Sequence, residues 1–333
     1  MPPLPEVVQA LLEPRAYPDK PQRIELGQTQ MSFVFIADDY VYKVKKPVDL
    51  GYLDYTTLER RQFFCHREIE LNRRLCPDVY LSVVPITQEG GNIVIGGQGE
   101  AIEYAVKMRR LPQEAMMNVL LTNNQVSAEM VANVAKKLAD FHHRAENNAT
   151  ISTFGDLDTI TQNTEENFTK TAKYTGIIIS RDSYQRIKDY TDSFAHDYTS
   201  LFHQRVAQGR IRDCHGDLHA AHVCFTNGIC IYDCIEFNDR FRYCDVASEV
   251  AFLAMDLDHY RRTDLSSSFV DAYVAQSQDK ELLKLLNFYK CYRAYVRGKV
   301  ASFKFDDPHI SEEERAKSLA GAKDYFDLAE SYI

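Results

Sequence analysis

His215-Gly216-Asp217-Leu218-His219-Ala220-Ala221-His222-Val223-Cys224-Phe225-Thr226-Asn227-Gly228-Ile229-Cys230-Ile231-Tyr232-Asp233 is the stretch on which the fold of this chain turns. Two apolar, β-prone runs flank Asn227-Gly228, a dipeptide suited to the positive φ angles of a tight hairpin. With a two-residue turn, Thr226 pairs with Ile229. Counting outward, His222 then lies opposite Asp233, with Cβ atoms roughly 4.5–5.5 Å apart. A turn one residue longer slips this register but keeps the ends close. An imidazole and a carboxylate therefore meet at the open end of the hairpin, soon after Asp217. Such a cluster suits phosphoryl transfer, in which metal ions neutralise phosphate charge and a carboxylate accepts the proton of the attacking hydroxyl.

The residues before this segment read as strands first and helices afterwards. Met31–Ile36 and Tyr40–Val48 form a strand pair about the turn at Asp38-Asp39. A helix follows over Thr57 to Leu75, with Thr56 and Glu59 at capping-box spacing and Pro77 just beyond its end. Leu81–Ile86, Asn92–Ile95 and Ala101–Met108 are further strands. From Pro112 onward the apolar spacing is helical, over Val126–His143, Ser183–Gln208, Val246–Asp256, Phe269–Ala275, Leu282–Phe303 and Glu312–Tyr332. Strands, then helices interrupted by one hairpin, predict an α+β chain of two lobes, residues 1–108 and 109–333, hinged at Met108–Pro112.

Composition narrows the function classes. The chain has 333 residues, 45% of them hydrophobic, enough for one large core or two modest ones. No run approaches the ~20 apolar residues of a membrane span. Met1 to Lys20 lacks the basic-then-apolar order of a secretory signal. Eight cysteines are scattered without a CxxC pair, which reads as reduced thiols in a cytoplasmic protein. Acidic residues outnumber basic ones 48 to 39, against a nucleic-acid partner. The acid-rich region after Asp213 offers weak support for a cationic substrate. Cys214, His215, His219, His222 and Cys224 also present zinc-binding atoms, but no pair has finger-like spacing to a second pair.

His215-Gly216-Asp217-Leu218-His219, the hairpin and the apolar run ending in Asp233 resemble the catalytic core of the aminoglycoside phosphotransferase and choline kinase superfamily. That resemblance implies a bilobal protein-kinase-like fold, with a small strand-rich N-lobe, a larger helical C-lobe and ATP bound between them. It also implies Mg²⁺, and a hydroxyl of a small molecule as phosphoryl acceptor. Asp217 is then the base and Asp233 a metal ligand. His222 stands where the family usually has a metal-binding asparagine; an imidazole there makes Mn²⁺ an alternative. Val41-Tyr42-Lys43 is similar to the strand carrying the phosphate-contacting lysine, although Lys45 points to the same side of that strand. Gly27–Ser32 is placed like the loop over the nucleotide phosphates.

Glu68 shares a helical face with Phe64, Leu71 and Leu75, so its carboxylate points into apolar packing and needs a cation. It is the expected partner of the lysine. Met108, Arg109 and Leu111 are similar to the gatekeeper and adenine-contacting hinge. Asp245 matches a structural aspartate and is placed to cap a helix. His215 and His219 read as structural residues of the loop. Arg293 and Arg297, one helical turn apart, read as a solvated face or as a seat for an anion. Tyr42-Lys43-Val44-Lys45-Lys46-Pro47-Val48, Leu71-Asn72-Arg73-Arg74-Leu75 and Asp233-Cys234-Ile235-Glu236-Phe237-Asn238 resemble one branch of the superfamily, often fused to a P-loop ATPase domain. No GxxxxGK[ST] occurs here, so the chain reads as the kinase-like part standing alone, and a separate P-loop ATPase is a possible partner. A nucleotide-binding pseudokinase or a nucleotidyl transferase are the competing readings.

Overall fold

The computed structural model describes residues 4–306 and 310–333. The chain divides into two compact units. One comprises the residues up to Met116 together with His222–Asp239, the other Met117–Ala221 and Arg240–Ile333.

The first unit opens with α1 (Glu6–Ala10) and continues into an antiparallel sheet. Its strands are β1 (Ile24–Gln28), β2 (Ser32–Ala37), β3 (Tyr40–Lys45), β4 (Tyr80–Glu89), β5 (Asn92–Ile95) and β6 (Ala101–Arg109), in the order β1-β2-β3-β6-β4-β5. The pleat sends Phe33, Phe35, Ala37, Tyr42 and Val44 into one apolar core, shared with Val8 and Leu11. Truncating the fully buried Phe35 to alanine would cost about 3–5 kcal/mol. The alternate residues of β3, Lys43 and Lys45, leave on the opposite face. There α2 (Leu58–Asn72) packs on β4 and β6. Thr57, rather than Thr56, caps α2 by accepting the Arg60 N–H; the Thr56 hydroxyl is engaged by the Asp54 carboxylate instead.

The second unit starts with α3 (Met117–Thr122), α4 (Ala128–Arg144), α5 (Ala149–Ser152), α6 (Leu157–Thr171), α7 (Arg181–Asp197) and α8 (Thr199–Ala207), then β7 (Ile211–Asp213). The stretch expected as one helix over Ser183–Gln208 is broken at Tyr198 into α7 and α8. The Thr199 hydroxyl donates back to the Ala195 and His196 carbonyls at the break.

The chain returns to the first unit for the hairpin of β8 (Val223–Phe225) and β9 (Ile229–Ile231). Its loop has three residues, Thr226-Asn227-Gly228, and Phe225 pairs with Ile229. Asn227 (φ 43°) and Gly228 (φ 105°) supply the positive angles at the end of that loop. The register is therefore one residue away from the two-residue expectation. His222 faces Tyr232, whose N–H donates to the His222 carbonyl at 3.0 Å, and not Asp233.

The second unit resumes with α9 (Asp239–Arg242), β10 (Tyr243–Asp245), α10 (Val246–His259), α11 (Thr263–Ser277), α12 (Leu282–Phe305) and α13 (Glu312–Glu330). Every residue of α10 from Val246 to Asp258 is buried, so this helix is the axis around which α11, α12 and α13 pack. Among the described residues no helix is long and apolar enough to cross a membrane. Cys76 and Cys230 form a disulfide, which departs from the reading of all eight cysteines as reduced thiols; the other six are free. Partners 154 positions apart leave no local spacing signal.

Candidate functional site

In the first unit the lysines of β3 and the helix α2 build one ionic cluster. Glu68, fully buried, meets Lys43 Nζ at 3.0 Å and Lys45 Nζ at 2.7 Å. Lys43 also reaches Asp233 Oδ1 at 2.7 Å, whereas Lys45 turns to Glu236 and to the Tyr55 hydroxyl. The two lysines thus separate by environment: the Lys43 side chain is 17% exposed and that of Lys45 is 1% exposed. Burial alone would lower the pKa of Lys43. The carboxylates of Asp233, Glu68 and Glu236 outweigh it and hold the value well above the ordinary lysine range. Glu68 mirrors this: burial would raise its pKa, and the two lysines bring it below the usual carboxylate value.

Asp233 follows β9 with a left-handed backbone (φ 63°), a conformation that non-glycine residues hold only where the surroundings enforce it. Three contacts do so. The Asp233 N–H donates to the Tyr80 hydroxyl at 3.2 Å, and the next N–H, of Cys234, donates to Asn72 Oδ1 at 2.9 Å. Asn72 in turn donates to the Glu68 carbonyl, one turn back on α2. The Cys76–Cys230 disulfide ties β9 to the chain just past the end of α2. The Asp233 carboxylate remains 41% exposed, with Oδ2 3.5 Å from His222 Nε2. Despite the shifted register, the imidazole and the carboxylate meet.

The other sequence-selected residues of this unit line its strands. Ser32 is buried opposite Lys45, and its N–H donates to Thr29 Oγ1, closing the β1–β2 turn. The segment Gly27–Ser32 is therefore the tip of a hairpin. Met108 is buried on β6 opposite Val41, Arg109 ends that strand in an exposed position, and Leu111 is buried just beyond it.

In the second unit the segment His215–Ala221 is a loop held from one helix. Glu249 on α10 is fully buried and accepts the N–H groups of His215 (2.8 Å) and Gly216 (2.6 Å), while His142 Nε2 lies 2.8 Å away. Burial would raise the Glu249 pKa, but the hydrogen bond from His142, the two histidines and the Gly216 N–H bring it to about 2. Seven residues on, Asp256 accepts the Ala220 N–H at 2.8 Å. Two helical turns, about 10 Å, thus carry two carboxylates that fix both ends of the loop. Gly216 takes φ 89°, and its carbonyl accepts from Arg293 Nη1 at 3.2 Å.

Between those anchors Asp217 stays partly exposed, with Oδ2 3.7 Å from His219 Nε2. His219 is buried and its Nδ1 accepts the Ala221 N–H, which fits a residue that shapes the loop. Asp245 caps α10 through the Ala247 N–H and forms a paired hydrogen bond with buried Arg205. Asn72 and Glu236 enter the sequence reading only within the branch-like motifs, and Glu249 and Asp256 have no site role in it. The signal was present for the last two, because carboxylates seven apart in an otherwise apolar helix must find donors.

No protein-family model matches the chain. Uncharacterized proteins of Mycobacterium tuberculosis (strain ATCC 25618 / H37Rv) and Mycobacterium bovis are each 34% identical to it over 283 residues, 85% of this chain. The chain spans 55% of the length of these relatives. Among solved structures it is similar to the amicoumacin kinase hAmiN in complex with AMP-PNP, Ca²⁺ and Ami (TM-score 0.53, 12% identity, 92% of this chain and 89% of that one). A choline/ethanolamine kinase family protein from Mesorhizobium loti is similar over 98% of this chain and 97% of its own (TM-score 0.52, 12% identity). These likenesses, with the strand-rich first unit and the helical second, show that the chain has the protein-kinase-like fold.

Proposed function

We propose that this chain is an ATP-dependent phosphotransferase that moves the γ-phosphoryl group to a hydroxyl of a small molecule. The observation that carries the reading is the Lys43–Glu68–Asp233 cluster, in which a buried glutamate holds a charged lysine against a partly exposed carboxylate. Its fold neighbours named as kinases support it.

Lys43 supplies the cation for the nucleotide phosphates, and Lys45, sealed between Glu68 and Glu236, serves to orient Glu68. Ser32, Met108, Arg109 and Leu111 are assigned to nucleotide binding, Ser32 near the phosphates and the other three at the adenine. The donor set suits a divalent cation. Three carboxylates of the cluster face two ammonium groups, leaving a formal charge of −1, and His222 adds a ring nitrogen beside Asp233. Asp233 and His222 would hold Mg²⁺ or Mn²⁺, which when bound neutralises charge on the transferred phosphoryl group.

Asp217 accepts the proton as the acceptor oxygen bonds to the γ-phosphorus. The bond from that phosphorus to the β,γ-bridging oxygen breaks, and ADP leaves with the electron pair. Glu249 and Asp256 keep the Asp217 loop in one conformation, so little reorganisation is left for the reaction itself. The test is Asp217→Asn. Nucleotide binding, followed by calorimetry with AMP-PNP, should stay within about threefold, while turnover falls by about 10³ or more. A variant that keeps its turnover removes Asp217 from the reaction.

A further inference from the structure

Arg293 and Arg297 stand one turn apart on α12, and their surroundings differ. Arg293 is spent on the protein. Its Nη1 donates to the Gly216 carbonyl, its Nε lies 3.1 Å from Ser248 Oγ, and its guanidinium covers the Phe252 ring at 4.8 Å. Arg297 is half-buried, with Nη1 3.4 Å from His219 Nε2 and the guanidinium carbon 5.4 Å from the centre of the Tyr325 ring. The guanidinium also hydrogen-bonds to Tyr325 and feels the Asp217 and Asp256 carboxylates, while its Nε is sealed from solvent and, among the described residues, has no acceptor in hydrogen-bond geometry.

The nearby carboxylate of Asp256 is committed elsewhere, to the Ala220 N–H and the Tyr325 hydroxyl. A sealed guanidinium N–H without an acceptor is costly, and packing alone does not require an arginine there. The same nitrogen of His219 that faces Arg297 lies 3.7 Å from Asp217 Oδ2. A single imidazole edge therefore separates the Arg297 guanidinium from the carboxylate assigned as the base.

We infer that Arg297 binds an oxyanion of the phosphoryl acceptor, which makes the acceptor a hydroxy acid or a hydroxylated phosphate monoester. The planar fork of arginine matches a carboxylate or phosphate through two parallel hydrogen bonds. The shared His219 nitrogen limits the distance between reactive hydroxyl and anion to a few bonds. The inference rests on the phosphotransferase reading for its use of Asp217, and it is opposed to a cationic acceptor, which Arg297 would repel.

The experiment has two arms on the full chain. In the first, inorganic phosphate, D-glycerate, glycerol 3-phosphate, glycerol, choline and ethanolamine are titrated by calorimetry onto protein saturated with Mg²⁺–AMP-PNP. The anions should bind saturably, at least 30-fold more weakly to Arg297→Gln and at intermediate strength to Arg297→Lys, with both variants folded by circular dichroism. In the second, the same hydroxyl compounds are offered with ATP. An anionic compound should be phosphorylated, and Arg297→Gln should lower its kcat/KM at least 30-fold while the KM for ATP stays within twofold. Anion binding that does not depend on Arg297, or choline, ethanolamine or glycerol as the best acceptor, overturns the inference. Arg297-dependent anion binding without any transfer would uphold the anion seat at Arg297 and overturn both its assignment to a phosphoryl acceptor and the phosphotransferase reading.

Discussion

Replacing Glu249 by glutamine should loosen the Asp217 loop and weaken the fold in a pH-dependent way. The carboxylate is fully buried and accepts the backbone N–H groups of His215 and Gly216, with His142 as its third partner. Its pKa is about 2, against 4.5 for the ordinary side chain. The native state therefore binds this proton more weakly than the unfolded chain does. The stabilisation from the charged carboxylate is fully present above pH 4.5 and is lost as the pH falls toward 2. At 1.36 kcal/mol per pKa unit it amounts to about 3 kcal/mol at pH 7 and to roughly half of that at pH 3. Glutamine keeps the shape but offers one acceptor oxygen to two N–H groups and carries no charge for His142. Urea unfolding of both proteins at several pH values between 7 and 3 gives the difference directly. The expected result is a gap of about 3 kcal/mol at neutral pH that narrows steadily with acid. A gap below about 0.5 kcal/mol at pH 7, or one that does not change with pH, would refute the role given to this carboxylate.

The two β3 lysines should respond in opposite ways. Lys45→Met leaves Glu68 and Glu236 buried without their shared cation and should cost about 3–5 kcal/mol in chemical denaturation. Lys43→Met should cost less stability but lower kcat/KM for ATP by about 10²-fold, read by coupled ADP release. Equal effects on both quantities would dissolve the distinction. Unfolded protein without reductant should show six reactive thiols, rising to eight with it. Reduction should lower stability by up to about 5 kcal/mol, the chain-entropy limit for a link across 154 positions. Replacing His222 by asparagine should move the metal preference from Mn²⁺ toward Mg²⁺, because an amide oxygen is the harder ligand; activity across a metal series measures it.

Legibility in the sequence followed the range of the interactions. Glu68 was found because helical spacing alone set its carboxylate among Phe64, Leu71 and Leu75, and the structure pairs it with Lys43 as expected. Lys45 could not be separated from Lys43 by strand alternation, since both leave the same face; only the packing of Glu236 against one and Asp233 against the other divides them. The β8–β9 register depended on whether Asn227-Gly228 was the whole turn or its last two residues, a difference no local propensity fixes. His222 still reaches Asp233, because the left-handed backbone of Asp233 redirects its carboxylate after the strand has ended. Asn72 and Tyr80 were invisible as site residues, since what they hold is backbone more than 150 positions away. The Cys76–Cys230 link was missed for the same reason.

The most direct test of the central claim follows the two ends of ATP separately. The wild-type chain is incubated with Mg²⁺ or Mn²⁺, a panel of hydroxyl compounds, and ATP labelled at either the γ- or the α-phosphorus. The account predicts that γ-label appears on one acceptor in step with ADP formation, only when metal is present, and that α-label stays in ADP. Transfer of the α-label, or metal-independent turnover, or binding of ATP with no γ-transfer to any hydroxyl compound, would contradict it.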